Sequence, residues 1–166
     1  MSRRYLSASI LLGSLVMLGT AGCAMMGSRP MMGSHPTVGS GDLIADRQRL
    51  MKLNGASWQD TQNKFKAGQI EAIAVNAETM AINGRHIIAL FPKGSLSDKS
   101  KAKPEIWQKW PEFDAAAQNM VSWSERLREA ARAKDAQGVE TIMKDFGRQA
   151  CGACHTPFRV PPPRQG

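Results

Sequence analysis

The chain has 166 residues, of which 42% are hydrophobic, and it contains only five Phe and one Tyr. This length is enough for one ordinary domain, and the shortage of strand-like runs argues against an all-β fold. The formal net charge is +8. No long Lys/Arg block is interleaved with aromatic residues, so no nucleic-acid partner is expected.

Residues 1–23 are predicted to be an export signal. They have a basic start at Arg3 and Arg4, an apolar stretch over residues 10–18 and small residues before Cys23. The apolar stretch is too short for a comfortable membrane span. The letters TAGC at residues 20–23 also resemble a lipoprotein box, in which Cys23 would carry a lipid that tethers the protein to the membrane. We therefore expect a periplasmic protein, with the soluble and the lipid-anchored forms both open.

Residues 24–41 are predicted to be a flexible linker. They contain the imperfect tandem repeat MMGSRP and MMGSHP, and their Gly, Ser and Pro content disfavours regular structure. Methionines and His35 are soft ligands that could hold Cu(I), but a plain linker is the simpler interpretation. The remaining chain divides into a domain over residues 42–160 and a C-terminal tail over residues 161–166.

Four amphipathic segments follow the linker. They begin after Asp42, near Ile70, at Pro104 and after Asp135, and both aspartates can cap a helix by accepting backbone N–H groups. Their apolar residues recur at helical spacing. The residues that define the four patterns are Ile44, Met51 and Trp58; Ile70, Ile73, Met80 and Phe91; Ile106, Phe113, Met120, Leu127 and Ala131; and Val139, Phe146, Ala150 and Cys154. We predict an all-α fold, an antiparallel four-helix bundle.

The string CGACHTPFR at residues 151–159 contains the candidate cofactor-binding residues. On a helix, Cys151, Cys154 and His155 stand at i, i+3 and i+4 and project from one face. C-x-x-C-H is the signature of covalent c-type haem attachment, in which two thiols bind the vinyl groups and the imidazole meets the iron. We therefore predict one haem c, attached through Cys151 and Cys154. Pro157 lacks an N–H, so the helix is expected to end or kink just after His155.

Other uses of the two cysteines fit less well. Structural zinc usually takes four ligands, and no second Cys/His pair is present in the sequence. A thioredoxin-like C-x-x-C would follow a strand, whereas this one ends an amphipathic helix. A disulfide would suit an oxidising compartment but leaves the histidine unexplained.

Three strings together, DRQRLM, KPEIW and CGACHTPFR, resemble the class II c-type cytochromes, the cytochrome c-prime family. The resemblance covers residues 42–159. It implies a bundle with haem between the helices near one end and His155 as the proximal iron ligand. It also implies that Arg47 and Gln48 contact the haem propionates, where an arginine offsets negative charge.

The resemblance leaves two functions open, and they differ at Met51. A low-spin branch of the family supplies a methionine ligand from the first helix and transfers electrons; Met51 in RQRLMKLNG takes that position. The first expectation is thus an electron carrier with His155/Met51 ligation and redox partner proteins. The alternative is a five-coordinate, high-spin cytochrome that binds nitric oxide or carbon monoxide, with Met51 simply packed in the core. We expect no enzymatic activity, and a homodimer is open, as in many relatives.

Overall fold

The computed structural model describes residues 41–162. The predicted export signal, the lipid site at Cys23, the linker as far as residue 40 and residues 163–166 of the predicted tail lie outside the described residues. The domain boundaries therefore stay predictions. Within residues 41–162, no helix is both long enough and apolar enough to cross a membrane.

The described residues form a helical bundle, which confirms the predicted fold class. Three members are long helices, and the fourth is a composite rod of two α-helices joined by a π-helical turn. In chain order the elements are α1 (Leu43–Lys66), α2 (Ile73–His86), a 3₁₀ turn (Ile88–Leu90), α3 (Glu105–Gln108), α4 (Trp110–Arg132), α5 (Ala136–Phe146), the π-helical turn (Gly147–Gly152) and α6 (Ala153–Phe158).

Two helix starts are set by the residues predicted to cap them. The Asp42 carboxylate accepts hydrogen bonds from the backbone N–H groups of Ile44 and Ala45, at 2.9 and 3.1 Å. The Asp135 carboxylate accepts one from Gly138 N–H at 2.8 Å. Each bond satisfies a backbone donor that the first helical turn leaves without an intrahelical partner.

The third predicted helix is not continuous, and that expectation was wrong. The structure breaks it at Lys109, whose φ of −122° and ψ of 47° are not helical, and α4 starts at Trp110 with a proline in its first turn. Pro111 has no N–H to continue the hydrogen-bond ladder from α3, but it suits the first turn of a new helix.

The composite rod also differs from expectation, because its last helix does not end just after His155. Helix α6 runs through Pro157 to Phe158, and Arg159 N–H donates to the His155 carbonyl at 3.2 Å. Pro157 removes only one bond from this short helix, and the neighbouring bond closes the last turn. The π-helical turn directly before it was not predicted; such wide turns are frequently found at functional sites.

The core lies between α2 and α4 on one side and α1 and the composite rod on the other. Gly84 sits where α2 approaches α4, since a Cβ atom there would lie 2.8 Å from Val121 Cγ2. Trp58 of α1 stacks on Phe146 of α5 with 4.6 Å between ring centroids. The largest fully buried apolar side chains are Phe113, Phe146, Ile73, Met80, Ile106, Leu127 and Val139.

Candidate haem site

Two adjacent cavities open between α1, α6 and the neighbouring helices. The larger has a volume of about 480 Å³ and the smaller about 130 Å³, and pockets of some hundreds of Å³ are typical of cofactor sites. They share four lining residues: Met51, Ile87, Cys154 and His155.

The structure brings the six sequence-predicted site residues to these cavities. Five of them line the larger one: Arg47, Gln48, Met51, Cys154 and His155. Cys151 lines the smaller cavity. Met51 on α1 and His155 on α6 therefore border the same space although they come from the first and last helices.

Burial changes the acid–base behaviour of the C-x-x-C-H residues. Desolvation raises the pKa of the Cys151 thiol. Desolvation, and to a smaller extent the neighbouring Cys151, raise the pKa of Cys154 to about 11. His155 faces the cavity, yet desolvation and then the charge of Arg159 lower its pKa. At neutral pH the two cysteines are thus protonated thiols, and the imidazole is in the neutral form that can ligate a metal.

The Arg47 side chain is held in place by hydrogen bonds to other segments of the protein. Its Nε donates to the Leu90 carbonyl at 2.6 Å and its Nη1 to the Ser95 carbonyl at 2.8 Å, while Nη2 donates to the Ser95 hydroxyl. The guanidinium also stacks 4.1 Å from the centre of the Phe91 ring. Gln48 Nε2 donates to the Lys99 carbonyl at 3.2 Å. Both residues tie α1 to the loop before α3. Because a guanidinium has five N–H groups, Arg47 keeps two for a haem propionate, and that predicted contact remains untested.

The loop contacts make Arg47 a stabilising residue as well as a candidate cofactor contact. We expect Arg47→Lys to lower the free energy of unfolding by roughly 1.5–3 kcal/mol, the usual value of a hydrogen bond to a charged group. Lysine keeps the charge but not the planar fork that reaches three acceptors. Urea unfolding of the haem-loaded protein measures the change, with Gln48→Ala as the milder control. Equal stability of Arg47→Lys and wild type would contradict the loop-tying role.

Sequence reasoning missed two cations of the larger cavity. Lys52 and Lys101 line it together with the predicted residues and with Arg159, which the resemblance had already placed near the proximal histidine. Lys101 is brought there by backbone pairing, because its carbonyl accepts from Val160 N–H at 2.8 Å and Lys103 N–H donates to Phe158 O at 2.9 Å. These cations could offset the charge of two propionates. Lys101 lies in an irregular polar loop, where no periodic signal marks it.

The residues present fit a haem. Thiols and an imidazole from one helical segment open on the cavity, cations stand at its rim, and the remaining wall is mainly apolar. Its large apolar side chains are Ile44, Ile87, Phe91, Ile106, Phe113 and Phe158. Neither Cys151 nor Cys154 is in a disulfide, so both thiols are available for attachment.

The chain is similar to known cytochromes. The family model for cytochrome c' matches residues 42–159. Cytochrome c' of Allochromatium vinosum is 29% identical over 103 residues, which cover 60% of this chain and 65% of the relative. The chain thus spans slightly under two thirds of that relative's length.

Solved structures agree with the sequence matches. A nitric oxide complex of a mutant cytochrome c prime from Alcaligenes xylosoxidans is 26% identical with a TM-score of 0.64, covering 73% of this chain and 95% of that chain. A cytochrome c' described as having an unusual ligand-controlled dimer dissociation is 25% identical with a TM-score of 0.65, covering 72% and 95%.

The family model spans the whole bundle, from the cap of α1 to the residue after α6. The C-x-x-C-H cysteines stand within that match, at cavities whose residues fit the cofactor. The chain therefore belongs to the cytochrome c' family and carries one covalent haem c through Cys151 and Cys154.

Proposed function

We propose that the protein binds a diatomic gas, such as nitric oxide or carbon monoxide, at a five-coordinate haem iron held by His155. The observation that carries the proposal is the likeness to a cytochrome c prime solved as a nitric oxide complex, which covers nearly all of that protein. This likeness supports the gas-binding alternative better than the electron carrier that the sequence placed first.

The cavity chemistry supports gas capture. Haem, when bound, would supply an iron that can accept a small ligand. The neutral imidazole of His155 would hold that iron, and apolar side chains that line the same cavity, such as Met51, Ile87 and Ala117, would keep water out. A small uncharged gas enters such a space without losing the hydration that an ion would need to shed.

The same cavity offers little for catalysis. The titratable residues lining the smaller cavity are Cys151, Cys154 and His155, and all three are assigned to holding the cofactor. Acid–base catalysis needs a further group to move protons on the ligand side. We therefore propose a binding protein and no enzymatic activity.

The second candidate is the electron carrier with His155/Met51 ligation. The observation that favours it is that Met51 lines both cavities, as His155 does. A thioether binds ferrous and ferric haem iron and tends to raise the reduction potential. In this case redox partner proteins would replace the gas as the protein's ligands.

One experiment separates the two candidates. The visible spectrum of the reduced, haem-loaded protein is recorded before and after carbon monoxide is added, for wild type and for Met51→Leu, which keeps the apolar bulk without the sulfur. We expect a broad high-spin spectrum that shifts with carbon monoxide in both proteins. Sharp low-spin bands that ignore the gas in wild type, but become high-spin and gas-sensitive in Met51→Leu, would put the electron carrier first.

We further propose that the protein is exported and functions in the periplasm, soluble or anchored through Cys23. The signal-like residues 1–23 and the C-x-x-C-H string support this, because c-type haem is attached outside the cytoplasm. The mass of the mature protein tests both parts: loss of the signal with a free N-terminus supports the soluble form, and a lipid-sized increment removed by Cys23→Ala supports the anchor.

A homodimer is also part of the proposal. Leu53 on α1 and Val75 and Ile82 on α2 are exposed apolar residues, and Val75 and Ile82, seven positions apart, share one helix face. A related cytochrome c' is described as a dimer that a ligand dissociates. Sedimentation equilibrium with and without carbon monoxide measures the association.

A further inference from the structure

Asn54 is a buried polar residue that neither proposed function uses. It lies on α1 one turn after Met51, is 8% exposed and lines the smaller cavity together with His155. Its side-chain Nδ2 has no hydrogen-bond partner. A buried donor left without an acceptor costs about 1–3 kcal/mol, so an unpartnered amide on a residue that lines a cofactor cavity points to an acceptor that belongs to a ligand.

A hydrogen bond from α2 fixes the orientation of the Asn54 amide. Asn83 Nδ2 on α2 donates to Asn54 Oδ1 at 2.8 Å. This bond occupies the carbonyl end of the Asn54 side chain and leaves its NH₂ end free. Asn83 thus acts as a positioning residue.

No other unpartnered buried side chain in residues 41–162 reaches the cavities. The remaining buried side-chain atoms without a partner belong to Thr61 and Glu105, and neither residue lines the larger or the smaller cavity. Among the unpartnered buried side-chain atoms of residues 41–162, only Asn54 Nδ2 therefore belongs to a residue that lines a cavity.

Asn54 is also on the correct helix to face a bound gas. Residues three apart on a helix are neighbours on one face, so Asn54 stands beside Met51, the residue aligned with the ligand side of the iron. Both line the smaller cavity together with His155 of α6. We propose that Asn54 Nδ2 donates a hydrogen bond to the diatomic ligand on the haem iron. This inference rests on the proposed gas-binding function.

The hydrogen bond gives the site a preference among gases. An N–H dipole stabilises a bound ligand in proportion to the negative charge on its outer atoms, and the low dielectric of a buried site strengthens the effect. Ligands that draw electron density from the iron are favoured over those that draw little. Asn54 is thus a specificity residue in an otherwise apolar cavity.

The test uses the reduced, haem-loaded protein with carbon monoxide as the vibrational probe. Asn54→Leu keeps the number and branching of the side-chain heavy atoms and has no donor. We expect its C–O stretching frequency to rise, because the lost dipole no longer favours back-donation from iron to the ligand. The dissociation rate of nitric oxide should increase about fivefold, the factor equivalent to a net hydrogen bond of about 1 kcal/mol.

Two further variants keep the result interpretable. Asn83→Leu should broaden the C–O band toward higher frequency, because Asn54 loses its anchor but keeps its donor. Asn76→Leu is the matched control: Asn76 is a buried asparagine on α2 that bonds Ser57 and Asp60 and lines neither cavity. It should leave the band in place, which separates loss of the donor from general loosening of the bundle.

The outcomes distinguish this inference from the function on which it rests. Carbon monoxide binding with an unchanged stretching frequency in Asn54→Leu overturns the role of Asn54 and leaves gas binding intact. Failure of wild type to bind carbon monoxide at all overturns both. Binding with the frequency shift in Asn54→Leu, and without it in Asn76→Leu, supports both.

Discussion

The double variant Cys151→Ser/Cys154→Ser is expected to carry no covalently attached haem. Both thiols open on the cavities beside His155, and a serine hydroxyl does not form the thioether link to a vinyl group. Any haem in this variant would be held only by packing and by the imidazole. Acidified organic solvent should therefore extract it completely, whereas the wild-type haem stays with the protein.

Denaturing gels stained for haem, together with the mass of the intact chain, measure this result. Each single variant should keep a covalent haem through the remaining cysteine, since either thiol can make one link. Cys23→Ser is the control, because Cys23 is outside the C-x-x-C-H string. Haem that stays attached in the double variant would show that another residue makes the link, and would remove the basis for assigning these two cysteines.

Phe146→Ala is a core substitution with a large expected cost. Phe146 is completely buried and stacks on Trp58 with its ring nearly parallel, at an interplanar angle of 13°. Removing a buried Phe typically costs 3–5 kcal/mol, because the lost contacts leave a cavity. Small domains have only about 5–15 kcal/mol of stability in total, so the variant should unfold at a much lower urea concentration.

This substitution should also disturb the site, because Trp58 lines the smaller cavity. Phe146 is the residue directly before the π-helical turn that contains Cys151. Urea unfolding of the haem-loaded protein gives the free energy, and Leu96→Ala is the control. Leu96 is 45% exposed in a loop, where a substitution changes stability by about 0.5 kcal/mol or less. A Phe146→Ala loss as small as that of Leu96→Ala would contradict the packing.

The features that could be predicted from the sequence depend on residues that are close together in the chain. Asp42 and Asp135 lie directly before runs of helical period, and a capping bond depends only on residues two or three positions away. The C-x-x-C-H spacing is local in the same sense. The break at Lys109 had a local signal as well, in Pro111, which the apolar period of the surrounding residues outweighed.

The features that were missed depend on residues far apart in the chain. Arg47 bonds carbonyl oxygens at the end of the 3₁₀ turn and in the loop after it, and every residue of the chain carries such an oxygen. The pairing of Lys101 with Val160 joins two segments without periodic patterns. The sequence does contain one signal for Asn54, because it is a polar residue on the apolar stripe of α1. Only the structure shows that its donor has no partner.

The cavities are bordered by the first and last helices of the domain, and this placement bears on when the cofactor can be attached. The segment with the two thiols is the last part of the bundle to be made, and Met51 and Asn54 are among the first. Bringing these ends together closes nearly the longest loop that the domain allows, at the largest entropic cost. The thiols therefore stay accessible until the chain closes, so attachment of the cofactor can precede folding and the finished bundle then encloses what it already carries.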